Sequence, residues 1–296
     1  MADLSGKTAV ITGAASGIGR ATVDVFVEAG AQVVAADIQD ALGEEIVQHY
    51  GEDRVRYVHC DVTSRQEFDA AIRTCASAFG GVDILFNNAG AGGAICGIED
   101  FDSDGFDMTV NLLLKSVFLG AHLALPYMKE RGGGSIVNTS SISAIQAGQA
   151  PIIYSLCKAA VAHFSKVGAA EMSRHNVRVN SILPGLIGTH IFGKGLGLDN
   201  KGAQEVADRL KAAAGALQPV GRIGQGRDVA ELAAFLASDA AAFITGGEYV
   251  IDGGATIGPA QSWQSERPLE GLLTMLGFTE ADIEKFAADA AASNAQ

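Results

Sequence analysis

The sequence predicts an α/β fold, a doubly wound parallel sheet with helices on both of its faces. Short apolar runs of strand length alternate with helical patterns from the N-terminus to about residue 254. The first run ends in a glycine-rich turn that leads into a helix, and later runs end in polar residues. Because strands joined by helices form right-handed βαβ units, the strands should lie parallel, with their carboxyl ends on one edge.

Length and composition indicate one catalytic domain with a tail. The chain has 296 residues, and we predict a single domain at 1–254 and an extension at 255–296. A hydrophobic share of 48% and a charged share of 19% are typical of a globular protein with a sizeable core. The formal net charge of −13 argues against a nucleic-acid or anionic-membrane partner and favours a small-molecule substrate in solution.

Cysteine and histidine spacing give no sign of a metal site. The four cysteines show no C-x-x-C pair, and the six histidines show no ligand spacing. The N-terminal residues run directly into a strand pattern, without the cationic and apolar regions of a secretory signal. No uninterrupted apolar run reaches about 18 residues, the length of a membrane span. We therefore expect a cytoplasmic protein with no metal and no membrane segment.

The turn after the first predicted strand, Lys7–Ile11, has the composition of a pyrophosphate-binding loop. Residues 12–19 read T-G-A-A-S-G-I-G and precede a predicted helix at Arg20–Ala29. Glycines allow the backbone to approach a pyrophosphate, and the helix N-terminus supplies N–H donors and a positive dipole. We therefore predict a nucleotide site that includes Gly13, Ser16, Gly17, Ile18 and Gly19.

An acidic residue favours NAD over NADP. The second predicted strand, Gln32–Ala36, ends at Asp37, whose carboxylate could accept hydrogen bonds from the ribose diol of an adenosine. The same carboxylate would repel a 2′-phosphate. The neighbouring Ile38 and Gln39 bring no positive charge that would offset this repulsion.

Two more polar residues follow predicted strands. Asp61 comes after Arg54–Cys60, and Asn88 comes after Val82–Phe86. Ligands of parallel sheets gather at the carboxyl ends of the strands, so both residues are candidates for the same site. Each also has a purely structural interpretation, because Asp61 could cap a helix and Asn88 could serve a turn.

A tyrosine and a lysine four residues apart suggest acid–base chemistry. If Pro151 opens a helix, Tyr154 and Lys158 lie on one face, about one turn apart. A phenol, with a pKa near ~10, is a poor base at neutral pH, and a nearby ammonium favours the phenolate. Ser141 would hold a substrate oxygen, and Asn111 could hold a water beside the reacting groups. The alternatives are a packed tyrosine, a solvated lysine and a core amide.

Together these motifs resemble the short-chain dehydrogenase/reductase family, in its branch of roughly 250 residues. The motifs are T-G-A-A-S-G-I-G at 12–19, D-V at 61–62, N-N-A-G at 87–90, Asn111, Ser141, Y-S-L-C-K at 154–158 and P-G-L-I-G-T at 184–189. They follow the family's order from about residue 5 to residue 254. The resemblance implies a Rossmann-like sheet of about seven strands and a nicotinamide cofactor.

The resemblance also implies residue roles. Asn111 would relay a proton through water, Ser141 would bind the substrate oxygen, Tyr154 would be the acid and base, and Lys158 would lower the tyrosine pKa and bind the nicotinamide ribose. Asp61 and Val62 would bracket adenine, and Ile187 and Thr189 would face the carboxamide. The remaining implied cofactor contacts are Asn88, Ala89, Gly90, Pro184 and Gly185.

The segment at 186–226 is glycine-rich early and helical late, which suits a substrate lid. An ordinary surface loop is the alternative. Apolar candidates near the site favour a hydrophobic or cyclic substrate. The predicted substrate contacts are Ser141, Ser143, Gln149, Tyr154, His190, Ile191 and Phe192.

The extension should form helices at Leu269–Leu276 and Thr279–Ser293, after an irregular connector at Pro259–Pro268. Its apolar residues suggest that it packs on a neighbouring subunit or helps to close the substrate pocket; a frayed appendage is the alternative. The family resemblance implies a homo-oligomer, with a tetramer favoured and a dimer possible.

The expected function is NAD-dependent interconversion of a secondary alcohol and a ketone. One alternative is a non-catalytic NAD-binding redox sensor, although such a module would not need the four catalytic candidates. The other is a different reaction on the same fold, such as dehydration, epimerisation or enoyl reduction. Enoyl reductases of the family resemble Y-x-x-x-x-x-x-K instead of Y-x-x-x-K, which counts against enoyl reduction.

Overall fold

A single seven-stranded parallel sheet forms the centre of the protein. The computed structural model describes residues 2–188, 202, 205–206, 208–209, 212, 218–258, 263 and 270–294. The strand order is β3-β2-β1-β4-β5-β6-β7, and all neighbouring strands are parallel. Strands β1 to β7 are Thr8–Thr12, Gln32–Asp37, Val55–His59, Ile84–Asn87, Gly134–Thr139, Val177–Pro184 and Glu248–Ile251. The predicted fold class is confirmed.

The helices lie on both faces of this sheet, as the doubly wound prediction requires. Most predicted bounds agree with the observed ones to within a few residues. In chain order, the helices α1 to α9 are Gly17–Glu28, Asp40–Tyr50, Arg65–Phe79, Ser103–Val110, Ser116–Glu130, Ile152–Met172, Gly226–Ala237, Glu270–Met275 and Glu280–Asn294.

Side-chain alternation along the strands divides the core into two layers. On β1, Ala9 and Ile11 belong to one buried cluster with Phe26 of α1 and Val229 of α7. The intervening Val10 belongs to a second cluster that includes residues of α3 and α5. Successive side chains of a strand point to opposite faces, so an apolar run of this kind is buried on both sides.

The order of the strands reverses between β1 and β4, and this reversal sets the place of the site. Helix α1 leaves β1 toward one face of the sheet, while the segments that follow β4 and β5 cover the other face. Ligands of open α/β sheets bind in the crevice at such a reversal, outside the carboxyl ends of the strands. The turns after β1, β4 and β5 therefore border this crevice.

The long apolar helical run that follows β4 is interrupted. Residues Asn111–Lys115 form a π-helical turn between α4 and α5. The whole run Ser103–Glu130 has the length and hydropathy of a membrane span. Its inner side, which includes Ala124 and Met128, is fully buried in the core cluster on α3 and the sheet, as in a core helix.

Local side chains and one glycine define helix ends at three places. Ser64 caps α3 by accepting a hydrogen bond from the Glu67 N–H, and Gly30 ends α1 with a left-handed φ of 101°. In the extension, the Thr279 N–H donates to the Asp282 carboxylate at 2.9 Å, and the Asp282 N–H donates to the Thr279 Oγ1 at 3.3 Å. This reciprocal pair is a capping box for α9.

Candidate active site

Glycines in the turn after β1 allow its backbone to pack closely against the backbone that follows β4. Gly13 and Gly17 have φ angles of 65° and 55°, which favour glycine. A Cβ on Gly13 would lie 2.9 Å from the Cα of Ala89, and a Cβ on Gly19 would collide with the Gly13 carbonyl oxygen. The turn therefore packs closely against the segment that follows β4, with the Asn88 side chain among its nearest neighbours.

The start of α1 leaves N–H donors for an anion. Ser16 is the N-cap, and within the described part of the chain its side chain makes no capping hydrogen bond. The first N–H groups of a helix have no partner inside the helix, and the helix dipole adds positive potential there. Gly17, Ile18 and Gly19 form this first turn, so the geometry fits a cofactor pyrophosphate.

Asp37 holds this turn to the end of β2. Its carboxylate is 6% exposed and accepts hydrogen bonds from the N–H of Ala15 at 2.8 Å and the N–H of Gln39 at 3.0 Å. The Gln39 amide also donates to it, at 3.2 Å. Sequence reasoning missed the role of Gln39, and it missed that the acid has internal partners before any ribose arrives.

Asn88 is fixed between three strands. Its amide donates to the Thr12 carbonyl at 3.1 Å, and its carbonyl oxygen accepts from the Thr139 hydroxyl at 3.3 Å. The Thr12 hydroxyl accepts from the N–H groups of Asn88 at 3.0 Å and Ala89 at 3.1 Å. Asn88 therefore joins the carboxyl ends of β1, β4 and β5, and Thr12, which no spacing argument singled out, organises the junction.

Ser64, and not Asp61, caps α3, so the structural alternative that the sequence left open for Asp61 is not observed. The Asp61 carboxylate accepts from the Thr63 N–H at 2.8 Å and the Thr63 hydroxyl at 2.7 Å, which forms an Asx turn. The side chain of Val62 is 4% exposed and packs in the core cluster around Phe68. Both residues lie at the end of β3, beyond Asp37.

Lys158 and Tyr154 lie on one face of α6, as predicted. Helix α6 begins at Ile152, and Pro151 is its N-cap. Pro151 was predicted to open the helix, so the helix starts one residue later than predicted. The Lys158 ammonium is buried and donates to the Thr139 carbonyl at 2.7 Å. It lies 5.5 Å from the centroid of the Tyr154 ring.

Burial dominates the titration of both groups. It lowers the pKa of Lys158 to about 8, because a buried ammonium loses its hydration. Burial also raises the pKa of Tyr154, and a hydrogen bond with the Ser141 side chain acts in the opposite direction. In the protein alone the net pKa of Tyr154 is therefore above its ordinary value, and the predicted lowering of this pKa by Lys158 stays a prediction.

Of two neighbouring serines, Ser141 is the one free to meet a substrate. The hydroxyl of Ser140 is 2% exposed and donates to the Lys158 carbonyl at 2.7 Å, which fixes α6 to the end of β5. The Ser141 hydroxyl accepts from the Ser143 N–H at 3.2 Å and keeps its own proton for another acceptor. The role of Ser141 as the residue that binds the substrate oxygen stays a prediction.

Ser143 carries an unusual hydroxyl. Its side chain is 6% exposed, and its Oγ has no hydrogen-bond partner among the described residues. A buried polar group without a partner costs about 1–3 kcal/mol. The predicted contact Gln149 lies on the exposed stretch that follows this turn.

Asn111 begins the π-helical turn that packs against α6. In that turn the N–H of Ser116 bonds to the Asn111 carbonyl, which is one residue beyond the α-helical spacing. Leu113 of the same turn is 1% exposed and joins a small apolar cluster with Ile153 and Cys157, against which Tyr154 packs. A Cβ on Gly90 would lie 3.0 Å from the Leu113 side chain and 4.0 Å from the Lys158 nitrogen, so the end of β4 borders the same space.

The segment after β6 completes the described site. Pro184 ends the strand, and the N–H of Gly185 bonds to the Ile251 carbonyl at 3.0 Å. Ile187 is 4% exposed and pairs with Gly224 in a short parallel bridge. The predicted residues Thr189, His190, Ile191 and Phe192, with most of the predicted lid, lie outside the described residues. Across the described ranges, no group of three or more His, Cys, Asp or Glu residues is arranged to hold a metal ion.

Comparison with known proteins places the chain in a family. The family profile described as "Enoyl-(Acyl carrier protein) reductase" matches residues 13–256. Momilactone A synthase of Oryza sativa subsp. japonica is 37% identical over 255 residues, which cover 86% of this chain and 91% of that protein. The 3beta-hydroxysteroid dehydrogenase 2 of Eggerthella lenta is 38% identical, with 85% of this chain and 95% of that protein covered.

A third relative, the 2,5-dichloro-2,5-cyclohexadiene-1,4-diol dehydrogenase of Sphingobium indicum, is 35% identical over 86% of this chain and 99% of its own length. The family profile, which matches residues 13–256, spans the glycines of the first turn, the ends of β2 to β7 and the helix that carries Tyr154 and Lys158. Fold, motif order and relatives agree that the chain belongs to the short-chain dehydrogenase/reductase family of oxidoreductases, whose dehydrogenases use nicotinamide cofactors.

Proposed function

We propose that this oxidoreductase interconverts a secondary alcohol and a ketone, with NAD as the cofactor and Tyr154 as acid and base. The observation that carries the proposal is the cluster at α6. There a buried Lys158 ammonium lies 5.5 Å from the ring of Tyr154, and Ser141 is within hydrogen-bonding reach of the phenol. A partly buried tyrosine with these two neighbours is an arrangement for moving a proton at a substrate oxygen.

In the oxidative direction, Ser141 and Tyr154 would bind the alcohol hydroxyl. Tyr154 accepts the hydroxyl proton. The hydrogen on the carbon that bears the hydroxyl leaves with its electron pair as a hydride, and that carbon becomes a carbonyl carbon. A bound nicotinamide ring supplies the acceptor for that hydride. Ser141 holds the oxygen throughout, so that the reacting carbon stays aligned. Reduction runs through the same steps in reverse, with Tyr154 donating its proton.

The remaining cluster residues would hold the cofactor and relay the proton. One of the three N–H groups of the Lys158 ammonium donates to the Thr139 carbonyl, and the other two could donate to ribose hydroxyls. Asn111, at the π-helical turn, would bind a water that links Lys158 to solvent. The glycine-rich turn, the start of α1 and Asp37 would bind the adenosine half and the pyrophosphate. Asp61, Val62, Asn88, Gly90, Ile187 and Thr189 complete the proposed cofactor site.

Two features support an alcohol substrate over an enoyl substrate, although the matching family profile is described as an enoyl reductase. Tyr154 and Lys158 are four residues apart, so both face one side of α6 at a single helical turn. Two relatives are named as dehydrogenases of hydroxyl-bearing ring compounds, a cyclohexadiene diol and a 3β-hydroxysteroid. We therefore propose a hydrophobic or cyclic secondary alcohol. A non-catalytic NAD sensor would need neither Ser141 nor the buried lysine.

We also propose a cytoplasmic homotetramer. The four cysteines are free, as in a reducing compartment. Helices α5 and α6 expose apolar residues on their outer sides, among them Phe118 at 62% and Val167 at 51%, and the rings of Phe118 and Phe164 lie 5.5 Å apart. Exposed apolar surface of this kind supports a contact with another subunit. The C-terminal extension, with Phe278 and Phe286 in edge contact, is a second candidate for such a contact.

Replacing Tyr154 by phenylalanine should lower the rate of alcohol oxidation by about 10²–10⁴-fold, because the ring stays and only the proton carrier is lost. Initial rates of NADH formation from NAD and a panel of cyclic secondary alcohols measure this. Tyr50→Phe is the matched control, because the Tyr50 hydroxyl donates to Asp24, away from the site. A Tyr154→Phe enzyme within about tenfold of wild type would contradict the assignment.

Alcohol oxidation should become faster as pH rises from about 6 to about 8, and ketone reduction should not. Oxidation needs the deprotonated phenol, and burial places the pKa of Tyr154 above its ordinary value, so the reactive fraction grows throughout this range. Above about pH 8 the rise should flatten as Lys158, whose pKa burial lowers to about 8, begins to lose its charge. Profiles of kcat/KM against pH in both directions test this, and an oxidation rate that is flat below pH 8 would oppose it.

The variant Asp37→Asn should reduce the preference for NAD over NADP by about tenfold or more. Two like charges about 5 Å apart repel by about 1–3 kcal/mol near a protein surface, and the amide removes this repulsion from a 2′-phosphate. Asparagine keeps one acceptor for the Ala15 N–H, so the turn retains part of its support. The ratio of the two kcat/KM values is the measurement. An unchanged ratio, or a wild-type enzyme that prefers NADP, would refute the role of Asp37.

A further inference from the structure

Ser143, two residues after Ser141, has a buried hydroxyl without a hydrogen-bond partner among the described residues. Ser143 belongs to the short 3₁₀ turn Ile142–Ala144, which follows Ser141 directly. That turn packs against α6, the helix that carries Tyr154.

Other serines of the chain show the ordinary arrangement. The hydroxyl of Ser155 donates to the Pro151 carbonyl at 3.0 Å, and that of Ser165 donates to the Val161 carbonyl, also at 3.0 Å. A carbonyl three or four residues earlier is the usual partner of a serine in a helix or turn. Ser143 makes no such bond in the structure, so its hydroxyl keeps both its proton and its acceptor capacity.

The position of Ser143 relative to Ser141 limits what this hydroxyl can meet. The Ser143 N–H donates to the Ser141 Oγ at 3.2 Å. Bond lengths along the Ser143 side chain then keep the two Oγ atoms within about 7 Å of each other. A small molecule whose two oxygens are separated by two to four carbon atoms can reach both hydroxyls at once, with one ordinary hydrogen bond to each.

We infer that Ser143 is a substrate-recognition residue, and that the substrate is a secondary alcohol with a second oxygen on a carbon near the reacting one, as in a cyclic diol or hydroxyketone. The inference rests on the proposed function, since Ser141 must hold the reacting oxygen. A site that bonds a substrate hydroxyl discriminates strongly against the analogue that lacks it, because the protein group is then left unpaired. Ser143 thereby distinguishes diols from simple alcohols of the same ring.

The test compares wild type, Ser143→Ala and Ser155→Ala on cyclohexanol, trans-cyclohexane-1,2-diol and trans-cyclohexane-1,4-diol, with NAD. For Ser143→Ala, the ratio of kcat/KM for the better diol to that for cyclohexanol should fall by about tenfold or more. Ser155→Ala is the matched control, because it removes a hydroxyl one residue from Tyr154 that already has a partner, and its ratio should stay at the wild-type value.

A second readout does not depend on turnover. With NADH present, the better diol should raise the unfolding temperature of wild type more than cyclohexanol does, and Ser143→Ala should lose that difference. If none of the three alcohols is oxidised, the proposed function is in question, and the unfolding temperatures still decide the role of Ser143. A diol-to-cyclohexanol ratio within about twofold of wild type in Ser143→Ala, with equal unfolding temperatures, would overturn the inference and assign the hydroxyl to an ordered water.

Discussion

The buried ammonium of Lys158 is the constraint on which the site depends. A charge that is 4% exposed keeps its proton only if polar groups replace the lost water. The Thr139 carbonyl does so directly at 2.7 Å, and the Ser140 hydroxyl holds the Lys158 carbonyl, so the lysine is tied to β5 from both ends. Gly90 borders the ammonium, because a Cβ there would lie in ordinary contact with it at 4.0 Å and more tightly against Leu113 at 3.0 Å.

A buried polar network extends this anchoring into the sheet. The side-chain amide of Asn87 donates to the side-chain oxygen of Asn138 at 2.9 Å. The side-chain amide of Asn138 in turn donates to the Ser165 hydroxyl at 2.9 Å. These bonds join β4, β5 and α6 in the core, where an unsatisfied amide would be costly. These bonds therefore fix the position of helix α6 relative to the strand ends, and they fix the position of Tyr154 with it. The same strand ends hold the glycine-rich turn through Thr12, so the proposed proton site and the proposed cofactor site share one rigid support.

Local sequence signals predicted most of the fold. The four strands predicted from apolar runs lie within a few residues of β1 to β4, whereas the number of about seven strands was implied by the family resemblance. The Tyr154–Lys158 face depends only on residues a few positions apart. The features that were missed depend on tertiary contacts. The π-helical turn at Asn111–Lys115 lies inside a run with ordinary helical composition, so nothing local marks it.

The electrostatics of the site could not be predicted from the sequence either, because they depend on tertiary contacts. Spacing placed Lys158 near Tyr154, but the sign of the change in the tyrosine pKa depends on how deeply the phenol is buried. Asp37 was found through its position after β2, whereas its bonds to Ala15 and Gln39 follow from how the turn folds back on the strand. The unpaired hydroxyl of Ser143 can be recognised only when all of its neighbours are known.

The central claim is that the charge of Lys158, together with a bound nicotinamide cation, makes the Tyr154 phenolate accessible near neutral pH. Titration of a ¹³C label at the tyrosine phenolic carbon, followed by NMR with saturating NAD, measures the pKa of Tyr154 in wild type and in Lys158→Met. Methionine keeps the length and apolar character of the side chain and removes the charge. The account predicts a Tyr154 pKa that is higher in Lys158→Met by about one pH unit or more. Equal values in the two proteins would contradict it.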